Sequence, residues 1–83
     1  MYAQGTLDVG SLVDAAGETE TIVVNGAALG DIVMVSLGVD ISDMTVTGYV
    51  QAANAVEIRV QNESGGTLDL ASTTVRVLVA DVT

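Results

Sequence analysis

The sequence has no cysteine, histidine, lysine or proline, and its 83 residues include two aromatic side chains, both tyrosines. Without thiol or imidazole groups, the chain cannot build a cysteine nucleophile, a histidine base, a Cys/His zinc site or an iron–sulfur cluster. Its serines also lack the histidine or lysine that would activate them. We therefore expect no catalytic residues, no cofactor and no metal site, and we predict that the protein is not an enzyme.

Basic side chains are equally scarce. Arg59 and Arg76 are the only cations beside 11 aspartates and glutamates, so the formal net charge is -9. Two arginines cannot neutralise a row of phosphates, which argues against nucleic acid as a partner. The acidity also argues against anionic membrane surfaces, and no apolar run reaches the length of about 20 residues that a membrane-spanning helix requires. We expect neither nucleic acid nor membrane as a partner.

Apolar side chains are plentiful, and most are valine, alanine, leucine or isoleucine. The hydrophobic fraction of 49% excludes a disordered acidic tail, which combines high charge with low hydrophobicity. A domain of this length buries only about 60–65% of the surface of its unfolded chain, so its stability is marginal. No disulfide can reinforce it. We therefore hypothesise that association with copies of itself or with a larger partner adds stability.

Valine and threonine favour strands, and glycines spaced along the chain are typical of turns. The apolar pattern predicts six strands, at residues 6–13, 19–25, 31–37, 44–51, 55–62 and 73–82. Residues 31–37 are almost continuously apolar, which predicts a central strand buried on both faces. No segment has a helical stripe. The predicted fold class is all-β: a small antiparallel β-sandwich, jelly-roll-like or related, with about six strands and no substantial helix. It forms one domain over residues 1–83, with residues 1–5 as a loose N-terminal arm.

Three residues are interface candidates. Tyr49 lies among threonines on one strand face, which suits either a protein contact or the edge of a core. Arg59 and Arg76 lie in mid-strand opposite regular rows of valine and isoleucine, and each is expected to have a carboxylate partner, with Glu57 and Glu63 as nearby candidates. Two interpretations of the arginines stay open. One is a cross-strand ion pair of about 0.2–1 kcal/mol, and the other is an intersubunit contact in which the guanidinium binds a carboxylate bidentately.

Two pairs of acidic residues have alternative chemical interpretations. Glu18 and Glu20 share one strand face, as a glycosidase pair would, but such a site also needs a cleft and aromatic platforms. We interpret them as part of a solvated face. Asp40 and Asp43 offer oxygen ligands for calcium, but their spacing differs from that of an EF-hand loop. Capping of Asx turns is the favoured interpretation of this pair.

Residues 30–79 carry a longer pattern: GDIVMVSL, then VTGYVQAANAVEIRVQN, then SGGTLDLASTTVRVLV. It resembles small virion proteins of tailed bacteriophages that are encoded beside the head genes, of the capsid decoration type (cement or head-fibre base). Leu37 and Leu70 stand where that pattern has prolines, a departure that concerns loop conformation more than the fold. The matching positions are Gly30, Asp31, Gly48, Tyr49, Asn54, Arg59, Asn62, Gly65, Asp69 and Arg76.

The resemblance implies a virion structural protein located on the capsid surface. Such a protein binds the outside of the major capsid shell and stabilises it through protein–protein contacts. The major capsid protein is then the partner, and a homotrimer on local three-fold positions is the expected assembly. Most of the matching positions are expected to be structural, as turn glycines, turn Asx residues and strand arginines. Two alternatives remain, a phage tail or fibre module and a small ligand-binding β-domain.

Overall fold

The computed structural model describes residues 1–81. In this part of the chain all regular structure is β, and no helix has the length and apolarity needed to cross a membrane. The strands are β1 (Tyr2–Leu7), β2 (Gly10–Leu12), β3 (Gly17–Val23), β4 (Ile32–Leu37), β5 (Thr45–Ala52), β6 (Ala55–Gln61), β7 (Leu68–Leu70) and β8 (Thr73–Ala80).

The strands form two three-stranded sheets and one short ribbon, and every pairing is antiparallel. In the first sheet β8 lies between β1 and β4, and in the second sheet β6 lies between β3 and β5. The ribbon consists of β2 and β7. The pairs β1–β8, β2–β7 and β3–β6 are nested, like a long hairpin folded back on itself. The strand pairs are nested as in a jelly roll, but the sheet orders β1-β8-β4 and β3-β6-β5 differ from those of its two four-stranded sheets.

The inner faces of the two sheets share one hydrophobic core. The two central strands contribute alternating rows whose side chains are completely or almost completely buried. This alternation places one row inside and the intervening residues outside. The inward rows are Val56, Ile58 and Val60 in β6 and Val75, Val77 and Val79 in β8.

Glycines allow the two sheets to approach closely along both edges of the sandwich. A Cβ atom on Gly48 in β5 would lie 2.6 Å from Val35 Cγ2 in β4. A Cβ atom on Gly5 in β1 would lie 2.8 Å from Ile22 Cδ1 in β3. At both positions a side chain would occupy space that the opposite sheet already fills.

The predicted all-β antiparallel fold is confirmed, but the strand count is eight rather than about six. Residues 6–13 do not form one strand. Gly10 has a positive φ of 64°, a conformation that suits glycine, and the chain turns there from β1 into the ribbon. The three-residue β7 was also missed, because a segment of this length has too few alternating positions to be distinguished from a loop.

The predicted loose arm at residues 1–5 is wrong, because Tyr2 to Gly5 belong to β1 and pair with β8. The pairing extends to Met1, whose carbonyl accepts a hydrogen bond from Val79 N and whose ammonium donates to Val79 O, both at 2.7 Å. The end of the last predicted strand, Val82, lies outside the described residues.

The predicted double burial of residues 31–37 is also wrong. These residues form β4, an edge strand with one covered face and one open face. Ile32 and Met34 point outward and are 54% and 53% exposed. A continuous apolar run does not distinguish a strand buried on both faces from a strand with an exposed apolar face.

Candidate protein-binding surface

The outer face of the first sheet carries a group of exposed large apolar side chains, and we call it the apolar face. Its middle row consists of Tyr2, Leu78 and Met34, which the strand register places side by side across β1, β8 and β4. Tyr2 is 56% exposed and Leu78 is 44% exposed. Ile32 extends the face along β4. Clustered exposed apolar side chains on a sheet indicate a surface for binding another molecule.

Arg76 lies at the centre of this face. It points outward from β8 between Gln4 of β1 and Ser36 of β4, one row away from the apolar triplet. The side chain of Arg76 forms no hydrogen bond or ion pair with residues 1–81. Its five N–H donors are therefore available to a group outside this part of the chain.

The apolar face contains no acid, although the chain carries 11 acidic residues. Its outward positions are Tyr2, Gln4, Thr6, Ile32, Met34, Ser36, Thr74, Arg76, Leu78 and Ala80. The face therefore has a local charge of one cation on a molecule with a formal net charge of -9.

A shallow open depression of about 230 Å³ lies between β1, β8 and β4. It is lined by Tyr2, Met34, Val35, Ser36, Arg76 and Leu78. Sites for small molecules usually measure about 300–1,000 Å³ and enclose most of the ligand. The depression suits an inserted side chain better than a whole ligand.

The outer face of the second sheet is polar, and we call it the threonine face. Its exposed positions include Thr19 and Thr21 on β3 and Thr45 and Thr47 on β5. The register places Arg59 between Thr19 and Thr47. This arginine therefore has the same central position on its sheet as Arg76 has on the first.

Arg59, however, is held by its neighbours. Its Nη2 donates a hydrogen bond to Gln61 Oε1 at 2.8 Å. Gln61 Nε2 in turn donates to Ala15 O at 2.8 Å and to Glu63 Oε1 at 3.0 Å. Among residues 1–81, Arg59 does not form the expected ion pair with a carboxylate. It is connected to Glu63 through the side-chain amide of Gln61 instead.

Tyr49 also has a partner on the threonine face. Its hydroxyl donates a hydrogen bond to Glu57 Oε2, which lies opposite it in the register. This hydrogen bond, some desolvation and the charge of Glu57 raise the pKa of Tyr49 above its ordinary value of 10.0. Loss of the phenolic proton would place two negative charges side by side.

The structure therefore separates the three predicted interface residues. Arg76 lies on the apolar face, whereas Tyr49 and Arg59 lie on the threonine face and bond to their own sheet. Tyr2 was not predicted as an interface residue because it fell in the supposed arm, and Met34 was not predicted because its strand was expected to be buried. The available sequence signal was that Leu78 and Ala80 share one face of β8 with Arg76, opposite the buried valines.

Several positions that carry the phage resemblance organise loops. Asn62 is completely buried, and its Nδ2 donates to Leu12 O and Gly66 O, both at 2.8 Å, while its Oδ1 accepts from Ser64 N at 3.0 Å. Asn54 Oδ1 accepts a hydrogen bond from Gly26 N at 2.7 Å. These contacts fit the structural roles expected for the Asx positions.

The acidic pairs have the geometry of surface and turn residues. Glu18 and Glu20 are exposed on β3. Asp40 Oδ1 accepts a hydrogen bond from Ser42 N at 2.9 Å, which is an Asx turn as predicted. Within residues 1–81, no group of three or more Asp, Glu, His or Cys residues is arranged to hold a metal ion.

Comparisons of the chain with protein-family models, with curated proteins and with solved structures found no match.

Proposed function

We propose that the protein is a capsid decoration protein of a tailed bacteriophage, which binds the outside of the major capsid shell. The observation that carries this proposal is the apolar face with Arg76 at its centre. Tyrosine, methionine and arginine are enriched at the cores of protein interfaces, and acids are depleted there. Tyr2, Met34 and Arg76 match this composition on a chain that is otherwise strongly acidic.

The phage assignment is supported by the sequence pattern of residues 30–79. The pattern covers β4, the β5–β6 hairpin and β8, so it includes both central strands and one edge strand that contributes to the apolar face. A decoration protein needs a rigid sheet that presents a contact surface, and it needs no catalytic group. The acidic remainder of the surface would keep free copies soluble and repel DNA during assembly.

The size of the apolar face favours several copies acting together. Three strands spaced about 4.8 Å apart and six residues long present a footprint of about 300 Å². A stable interface needs about 800 Å² from each partner. We therefore propose a homotrimer, in which three modest contacts reinforce each other because the second and third bind at high effective concentration.

The test is a binding assay with expanded capsids that lack the protein. Purified protein should saturate a fixed number of sites on these shells, and the decorated particles should resist a higher temperature than bare particles. Bare capsids that bind no protein would refute the proposal. Cryo-electron microscopy of the virion distinguishes the tail or fibre alternative, which places the chain on the tail rather than on the head.

A further inference from the structure

We propose that the apolar face docks on an apolar patch of the shell protein that contains one carboxylate, and that Arg76 binds this carboxylate. The inference rests on the proposed function and names the chemistry of its partner site. It follows from three properties: the face carries one positive charge, the chain as a whole is strongly acidic, and the side chain of Arg76 has no partner among residues 1–81.

The guanidinium of Arg76 would be costly to cover without a counter-charge. Docking on the apolar face removes water from Tyr2, Leu78 and Met34, and Arg76 in the adjacent row would be desolvated with them. A buried charge without a partner is strongly unfavourable. Because the side chain of Arg76 has no hydrogen bond or ion pair with residues 1–81, the counter-charge has to come from the partner.

A second copy of the chain is a poor occupant. If two apolar faces stacked on each other, each Arg76 would meet a surface that has no acid among its outward positions. Two cations would then share a desolvated interface. The threonine face of another copy offers Glu57, but that carboxylate already accepts a hydrogen bond from Tyr49, and the surrounding threonines cannot cover the apolar row.

A shell protein with a carboxylate set in apolar surroundings satisfies both requirements. Its apolar groups would cover the triplet, and its carboxylate would accept the paired N–H groups of the guanidinium in a bidentate geometry. The overall charge of -9 would then oppose wrong contacts with acidic surfaces, because the outward positions of the apolar face include no acid whereas the threonine face carries Glu57.

The chain supplies a matched control for the test. Arg76→Glu and Arg59→Glu change the net charge by the same amount, and both arginines are exposed in the centre of a sheet. Binding of each variant to expanded, undecorated capsids is titrated, and the urea midpoint of each free protein is measured to verify folding. We expect Arg76→Glu to weaken binding at least about 100-fold, Arg76→Lys about 10-fold, and Arg59→Glu less than about 3-fold.

The outcomes separate this inference from the proposed function. If wild-type protein binds capsids and Arg76→Glu binds equally well, the inference is wrong while the function stands. Equal weakening by the two glutamate variants would indicate a net-charge effect and would also overturn it. If wild-type protein does not bind capsids at all, both proposals fail.

Self-association is measured by sedimentation velocity of the free protein and of Leu78→Glu. An oligomer that persists in Leu78→Glu, or a wild-type protein that is monomeric when free, supports the docking of a different protein on the apolar face. A wild-type oligomer that dissociates in Leu78→Glu would show that a second copy occupies the face, and the inference would be overturned.

Discussion

The two sheets have similar insides and different outsides. In each sheet the central strand contributes an inward row of buried β-branched side chains, and on the outer face an arginine occupies the middle of the sheet. Arg59 lies between two threonines and donates a hydrogen bond to Gln61, whereas Arg76 lies beside a row of exposed apolar side chains and its own side chain has no bonding partner among residues 1–81.

The two sheets therefore share one arrangement of strands, but their outer faces differ in how much they would gain from a partner. The threonine face satisfies its polar groups locally and gains little from a partner. The apolar face leaves apolar area and one cation uncovered, and so it gains free energy when a complementary surface covers it.

The largest effect on the free energy of unfolding is expected at Asn62, which directly follows β6, the central strand of the second sheet. Asn62→Ala removes the donor of two hydrogen bonds and the acceptor of one. The backbone groups of Leu12, Ser64 and Gly66 lose the Asn62 side chain as a partner in a part-buried or buried setting, although Gly66 O keeps its hydrogen bond from Ser64 Oγ. We expect a loss of about 2–4 kcal/mol in the free energy of unfolding, measured by urea denaturation.

Asn54→Gly is the control for this variant. It removes one exposed hydrogen bond to Gly26 N and keeps a residue that tolerates the φ of 64°. Its expected loss is below about 1 kcal/mol. Equal effects of the two substitutions would contradict the central structural role of Asn62.

The second prediction compares the two edges where the sheets meet. In Gly48→Ala the new Cβ would meet Val35 at 2.6 Å and Val33 at 3.1 Å, and these branched side chains rotate with difficulty. In Gly5→Ala the closest atom is Ile22 Cδ1, the end of a longer side chain, at 2.8 Å. We expect Gly48→Ala to destabilise by about 1–3 kcal/mol and Gly5→Ala by less. The reverse order in thermal denaturation would contradict this assignment.

The third prediction concerns a substitution that makes the apolar face more like the threonine face. Leu78→Thr replaces a partly exposed leucine at the centre of the row with a residue that suits strands. We expect the free energy of unfolding to change by less than about 0.5 kcal/mol, while binding to undecorated capsids weakens. The control is Thr21→Ser on the opposite face, which should leave both quantities unchanged. A large loss of stability in Leu78→Thr would mean that the face supports the fold rather than binding.

The smallest effect concerns the hydrogen bond between Tyr49 and Glu57. Because this contact raises the pKa of Tyr49 above 10.0, its contribution to stability is present below about pH 10 and is lost as the pH rises through the raised value. Glu57→Gln should lower the pKa of Tyr49, since it removes the negative charge. Ultraviolet absorbance in a Tyr2→Phe background follows Tyr49 alone, and an unchanged titration midpoint would refute the contact.

The architecture was largely predictable because the inward rows alternate strictly. Val56, Ile58 and Val60 alternate with polar residues, and so the position and the buried side of β6 follow from the period of two. β4 lacks this contrast, since Ile32 and Met34 are as apolar as the valines between them. Its exposed side therefore required knowledge of which strands lie beside it.

The candidate surface was predicted in part for the same reason. Arg76 could be recognised as an outward cation from the pattern of β8 alone. Tyr2 and Met34 lie far from Arg76 in the sequence. They come close to it only because β1 and β4 pair with opposite edges of β8. Pairing between distant strands leaves no local sequence signal. The expected carboxylate partner of Arg59 was wrong because Gln61 Oε1 accepts the hydrogen bond from Arg59, and Gln61 in turn donates to Glu63.

The position of β8 has a consequence for how the chain acquires its structure. β8 lies in the middle of the first sheet, and β1 and β4 pair with it rather than with each other. A growing chain on the ribosome therefore cannot form this sheet until residues 73–80 have emerged, long after β1 and β4. Pairings of such long range fold slowly, on the scale of about milliseconds to seconds. Until β8 pairs with them, the apolar side chains of β1 and β4 are exposed, and the excess of negative charge on the chain would hold separate copies apart.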